Sequence, residues 1–315
     1  MIEQLLTIAR NTFTESIRQP IFLVLVLLGG AALVLNPALT AYTMEDDNKL
    51  LVDLSLSTIL LVGLMLAAFS ATSVLASELE NRTVLTVVSK PVARPIFVLG
   101  KYLGVLAAIA LAFYVLSLVF LLTCRHGVMS TASHRFDGPV LLFGTLAAVI
   151  ALGVATLGNY LYRWVFSSTM IVGLALAGTV AIALVLVINK QWAFQSPLTE
   201  FTAHDGRLVQ IILGLGMVFQ SVAILAAVAI AASTRLGQIM TLVISAGVFL
   251  MGLITNSFSQ LINDRLKIPQ GLGAAASLQA IAGMDLPLHL KLTYSLGKVL
   301  YLLFPNLQFL WPADA

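Results

Sequence analysis

Charge is scarce in this chain. Acidic and basic side chains make up 10% of its 315 residues, against about 25% in soluble domains. With 59% of residues hydrophobic, the composition excludes a soluble globular protein and requires an integral membrane protein. Cysteine is nearly absent: the single Cys124 excludes an internal disulfide and reads as a lone thiol at a span end. No GxxxxGK[ST] loop occurs, so no Walker loop is present to cradle a nucleoside triphosphate. HExxH, CxxC and GxSxG are missing too. The histidines, His126, His134, His204 and His289, are scattered. Cys124, His126 and His134 fit no standard metal spacing, and no metal or cofactor is expected in the chain. No basic run with interleaved aromatics exists, which excludes nucleic acid as a partner. A cleavable signal peptide is not expected, because the first apolar run starts only at Ile21.

The acidic residues are also missing from the places where coupled transport needs them. None of the fourteen is expected inside a span, with Asp53 and Asp137 at edges. Ion- and proton-coupled transporters place a carboxylate or histidine at membrane depth. That argues against a secondary transporter and against an intramembrane aspartate protease. Gln220 is the one strongly polar side chain expected near a span centre, and it reads as an interhelical hydrogen-bond partner or a pathway residue. Small residues at Gly173, Ala175, Ala177, Gly178, Gly214 and Gly216 permit close helix packing.

What is present is a series of apolar runs long enough to cross a bilayer, which takes about 20 residues. They lie near 21–39, 54–76, 97–123, 139–162, 166–188, 208–232 and 236–258. The expected fold is an all-α integral membrane protein of seven spans over residues 1–258. Ahead of the spans, Ile2, Leu5, Leu6, Ala9, Phe13 and Ile17 share one helical face, with Glu3, Arg10, Asn11, Glu15 and Arg18 opposite. This pattern predicts an interfacial amphipathic helix over 2–18, ended by Pro20. Lys101, near the start of the third span, is expected to snorkel to the headgroups. Residues 259–315 are broken by Gly and Pro and are expected to form short helices on the outer surface, anchored by Tyr294, Tyr301 and Trp311. Counting Lys and Arg over the short connections puts the amino terminus inside. The loops at 40–53, 124–138 and 189–207 then face outward.

Between the second and third spans sits a polar island, Ser77 to Pro95, reading SELENRTVLTVVSKPVARP. Val84, Leu85, Val87 and Val88 form one face of a short helix. Asn81 or Thr83 can cap its start, and Pro91 ends it. An amphipathic turn held between two spans suits the reception of force from a soluble partner; an ordinary cytoplasmic loop would also gather Arg and Lys.

The stretch SELENRTVLTVVSKPVARPIFVLGKYLG resembles the cytoplasmic segment of bacterial ABC type-2 exporter permeases. Its matching residues are Glu78, Glu80, Arg82, Thr83, Ser89, Lys90, Pro91, Arg94, Lys101 and Gly104. The opening IARNTFTESIRQPIFLVLVLL is similar to the interfacial helix and first span of that family. ASTRLGQIMTLVISAGVFLMGL and YLLFPNLQFL resemble the distal half of one bacterial subgroup. The resemblance implies a permease subunit in the bacterial inner membrane that pairs with a second copy or a paralogue. Separate ATP-binding subunits would hold ATP and Mg and dock on the island as a coupling helix. The residues implied in that contact are Glu78, Glu80, Asn81, Arg82, Thr83, Val87, Ser89, Lys90, Pro91 and Arg94. Family members ending in a motif like FPNLQFLWPADA continue into a final span. That leaves three accounts open: a shortened product, an absent crossing, or a topology shifted by one. A non-transporting scaffold or sensor subunit is the alternative function.

Overall fold

The computed structural model describes residues 2–41, 47–80, 94–128, 136–196, 207–266, 274–284 and 287–303. Among them run ten helices: α1 Ile2–Arg18, α2 Pro20–Thr40, α3 Asp47–Glu80, α4 Arg94–His126, α5 Gly138–Tyr162, α6 Phe166–Val187, α7 Arg207–Ser233, α8 Gln238–Leu266, α9 Ala274–Gly283 and α10 Leu288–Leu303. Seven of these, α2 to α8, are long and apolar enough to cross a membrane. Among the described residues the all-α architecture with seven candidate spans stands.

The chain turns from α1 into α2 at Gln19, whose backbone is extended, and Pro20 opens α2 in its first turn. Proline suits that position because its missing N–H has no helical acceptor there anyway. At the start of α5, Asp137 caps the helix: its carboxylate accepts from the Val140 backbone N–H at 3.3 Å. The same carboxylate lies 3.5 Å from Arg125 Nε, and Asp137 is fully buried. The end of α4 and the start of α5 are thus joined by an ion pair that also suits both helix dipoles. The hairpin between α5 and α6 turns on Arg163, which takes the left-handed conformation at φ 57°. Its N–H returns to Asn159 O, and that of Trp164 to Gly158 O, satisfying carbonyls that a helix end leaves open.

The core is centred on α4, which touches α1, α2, α3, α5, α6 and α7. Phe120, Ile109, Ala108 and Ala112 of α4 are fully covered, as are Leu33 of α2, Ile59 of α3 and Val222 of α7. Lipid tails are as apolar as leucine, so close packing and interhelical hydrogen bonds must hold such a bundle. Gly63 is the clearest case of close approach: a Cβ there would lie 2.6 Å from Val222 Cγ2. Asn36 of α2, itself buried, donates to Ser55 Oγ of α3 at 3.2 Å. Tyr102 of α4 donates to the Ala223 carbonyl of α7 at 3.3 Å. Such bonds contribute about 0.6 kcal/mol each on average.

Two boundaries differ from the sequence expectation. α3 begins at Asp47, so Asp53 lies in the second turn of a helix, where the sequence suggested a loop running to residue 53. Helix formation runs through Asn48 and Lys49 because nothing there breaks it. α8 continues to Leu266, two turns past residue 258, and carries Asp264 in its last turn. Its end packs with the tail: Ile262 of α8 and Ile281 of α9 are buried together with Tyr294 of α10 against them. Lys298 of α10 is enclosed in the same place, 2% exposed. Its ammonium donates to Ser259 Oγ at 2.8 Å and Asn263 Oδ1 at 2.7 Å.

Candidate coupling site

The island is flanked by the two longest helices, α3 of 34 residues and α4 of 33. At 1.5 Å per residue each is about 50 Å long, well beyond a hydrocarbon core of about 30 Å. Glu78 and Glu80 occupy the last turn of α3, and Arg94 is the first residue of α4. Asn81, Arg82, Thr83, Val87, Ser89, Lys90 and Pro91 lie outside the described residues, as does the short helix expected over Val84 to Val88. The site can therefore be built from its frame.

That frame is a seat for α1. A Cβ on Gly100 would lie 2.8 Å from Ile8 Cγ2, and one on Gly104 would lie 2.5 Å from the Ala9 carbonyl oxygen and 2.6 Å from Thr12 Cβ. The two glycines are one turn apart on α4, and their partners advance by one turn on α1. The helices accordingly run together in one sense along this stretch, backbone close to backbone. A GxxxG spacing permits this approach, and any larger side chain forbids it. Thr12 and Ser16 are buried in the seat, and Ser16 satisfies its hydroxyl on the Thr12 carbonyl at 2.9 Å. Ile2 and Leu6, from the expected apolar face, instead point outward at 76% and 59% exposure. α1 therefore has two apolar surfaces, one on α4 and one turned away from the protein.

Lys101 corrects a sequence expectation. It is 3% exposed, with its ammonium 4.5 Å from the centroid of the Phe97 ring. The side chain does not snorkel, because the glycines on either side of it let α1 cover that face of α4. A cation over an aromatic ring gains about 0.5–2 kcal/mol, more as water is excluded.

A second tie links this seat to α3. Ser73 Oγ donates to Gln19 Oε1 at 2.7 Å, from α3 to the hinge between α1 and α2. Both flanks of the island are thus fixed to the amino-terminal unit, α4 by glycine contact and α3 by a hydrogen bond. The sequence gives no sign of the Ser73–Gln19 bond; the Gly100–Gly104 spacing is visible in it but names no partner.

Gln220 is elsewhere. It lies about halfway along α7 on an outward, exposed face, with Met217 one turn and Leu213 two turns before it. Among the described residues its side chain makes no hydrogen bond to another helix. Among the described residues no cluster of three His, Cys, Asp or Glu is placed to hold a metal; His134 lies outside them.

Residues 6–158, from α1 into α5 and including the whole island, match the family model described as ABC-2 family transporter protein. No curated protein and no solved structure matches the chain. Residues 6–158 are thus similar to ABC-2 family transporter proteins, in a chain with seven helices, among the described residues, long and apolar enough to cross a membrane.

Proposed function

We propose that the chain is the permease subunit of an ATP-driven exporter of the bacterial inner membrane. Two copies, or one copy and a paralogue, form the translocation pathway. ATP and Mg are held by separate ATP-binding subunits that dock on residues 77–95. In this reading Glu78, Glu80, Arg82, Lys90 and Arg94 offer charges to the partner. Val87 belongs to the apolar face that docks. Asn81 or Thr83 caps the turn, while Ser89 and Pro91 shape its end.

The observation that carries the reading is the frame around the island. α3 and α4 lead into it as long uninterrupted helices, and α1 is locked along α4 at Gly100 and Gly104. A displacement of the island therefore moves two spans and the amino-terminal helix together, which is what a power stroke from a soluble subunit requires. The outward face of Gln220 supports pairing. Hydrocarbon offers an amide no hydrogen bond, whereas a second subunit does.

The test is co-purification of a co-expressed ATP-binding subunit, and its turnover in reconstituted membranes. Glu80→Ala, Arg82→Ala and Val87→Asp should each weaken association or uncouple hydrolysis. A charge removed from a desolvated pair costs about 2–5 kcal/mol, and an unpaired charge on a buried face costs at least as much. Glu45→Ala, on the opposite side in this topology, should change neither. Island variants that match the unaltered protein in both assays would reduce the segment to an ordinary loop.

A further inference from the structure

α4 is enclosed around most of its circumference, but one stripe of it is open. Leu99, Leu103, Ala107 and Tyr114 recur on a single face of α4 and are all exposed. α6 and α7 border this stripe; among the described residues both pack on α4 but not broadly on each other. On α7 the exposed positions Leu213, Gly216, Gln220 and Ala227 also share one face. α3 packs on both α4 and α7 and covers the opposite side of that pair. Val222, which meets Gly63 of α3, stands about 160° round α7 from Gln220, at about 100° per residue. The two stripes therefore open the same way, as one shallow crevice between α6 and α7.

The crevice carries a donor and an acceptor at one depth. Phe113 of α4 and Phe219 of α7 meet edge to face, their ring centroids 5.2 Å apart. Tyr114 and Gln220 are the next residues along, so they share about one level, near the middle of their spans. Tyr114 is 43% exposed, and its hydroxyl lies 2.9 Å from Thr179 Oγ1 of α6. Thr179 commits its own proton to the Ala175 carbonyl, so Tyr114 is the donor between the two hydroxyls. The tyrosine oxygen keeps its capacity to accept, on the open side. Gln220 presents an amide N–H there, with no hydrogen bond to another helix among the described residues. Hydrocarbon satisfies neither group. Rotation by 180° about the membrane normal leaves depth unchanged, and a two-fold interface is self-complementary. Two copies related in this way bring Gln220 of each to Tyr114 of the other, so that two bonds form together. Gly216, where a Cβ would meet nothing within 4 Å, and Ala107 leave room for close approach.

We infer that two copies of this chain pair through the crevice of α4, α6 and α7, each α7 lying in the crevice of the other, with Gln220 Nε2–H donating to Tyr114 Oη across the seam. The inference rests on the pairing proposed above and names its face; it does not depend on the island coupling to an ATPase.

Two differently tagged full chains, both Cys124→Ala, are co-expressed, one carrying Tyr114→Cys and the other Gln220→Cys. Membranes are oxidised with copper phenanthroline, and disulfide dimers holding both tags are quantified. The control pair is Val149→Cys with Leu250→Cys, on exposed faces of α5 and α8. The seam pair should exceed it by roughly tenfold, which corresponds to about 1.4 kcal/mol of preference. Energy transfer between labelled copies then reads association without oxidation. Tyr114→Phe and Gln220→Leu should each weaken it roughly threefold or more, as about 0.6 kcal/mol per bond gives. The double variant should be no weaker than either single one, because both remove the same bond. Self-association with equal disulfide yield from the two cysteine pairs would overturn this face and leave pairing standing. Absence of self-association would overturn pairing itself, and the inference with it. Losses that add in the double variant would place the two groups on different partners and overturn the bond between them.

Discussion

The hydroxyl of Ser73 and the side-chain oxygen of Gln19 meet at 2.7 Å, two turns of α3 before Glu80. The bond ties the first hinge of the chain to the helix that leads into the island. A single neutral hydrogen bond contributes about 0.5–1.5 kcal/mol to stability, so Ser73→Ala should shift thermal unfolding in detergent only slightly. If the tie transmits motion, the same variant should cut the ATP turnover stimulated in the assembled complex far more than it cuts stability. Turnover falling only in proportion to stability would make the bond merely structural.

Gly104 meets a backbone carbonyl, which cannot rotate out of the way as a side chain can. Overpacking costs about 1–3 kcal/mol where neighbours can shift, and Gly104→Val should reach or exceed the top of that range. Gly153→Val is the control, since a Cβ there meets nothing within 4 Å. Protease protection of α1 in membranes reads the outcome. Loss of protection in the Gly104 variant, and not in the Gly153 variant, is expected.

On α7 the outward Gln220 should report the neighbouring subunit. Gln220→Leu leaves packing within the monomer intact and removes only an amide that hydrocarbon cannot satisfy. Self-association measured by energy transfer between labelled copies should weaken, by about 0.6–1.7 kcal/mol per lost bond at membrane depth. Unchanged association would move Gln220 from a seam to a pathway wall, where transport and not pairing would respond.

Burial holds the Lys298 ammonium below its ordinary value of 10.5. The unfolded chain then binds more protons than the folded one between the folded value and 10.5, so stability rises with pH across that window. Below the folded value the cost of burying the charge is present in full. Unfolding of the purified protein followed from neutral pH to 10.5 should therefore show a rising component that Lys298→Met abolishes. A component that falls with pH would contradict the burial of that charge.

The spans were legible in the sequence because a run of about 20 apolar residues has few other folds open to it. The seat of α1 was not, although its spacing was in plain view. Gly100 and Gly104 state that something approaches closely, and only the third dimension says that it is Ala9 and Thr12. The same missing partner explains Lys101: a long cationic side chain at a span end snorkels by default, unless another helix covers it. The start of α3 was read late because the polar residues there look like a loop, while the helix begins at Asp47. Gln220 stands out in the sequence by its isolation, but the direction in which it points depends on the angular position of α7, which composition does not fix.

The clamp at Gly104 also sets a gear ratio. Ten residues separate Gly104 from Arg94 and twenty-two separate it from His126, arms of about 15 and 33 Å. If α4 swings as a rigid rod about that clamp, each ångström of travel at the island becomes about two at His126, with the force there halved. In such a swing the ion pair between Arg125 and Asp137 would pull on the start of α5, and a load on the far end of α4 would be felt at the island about doubled.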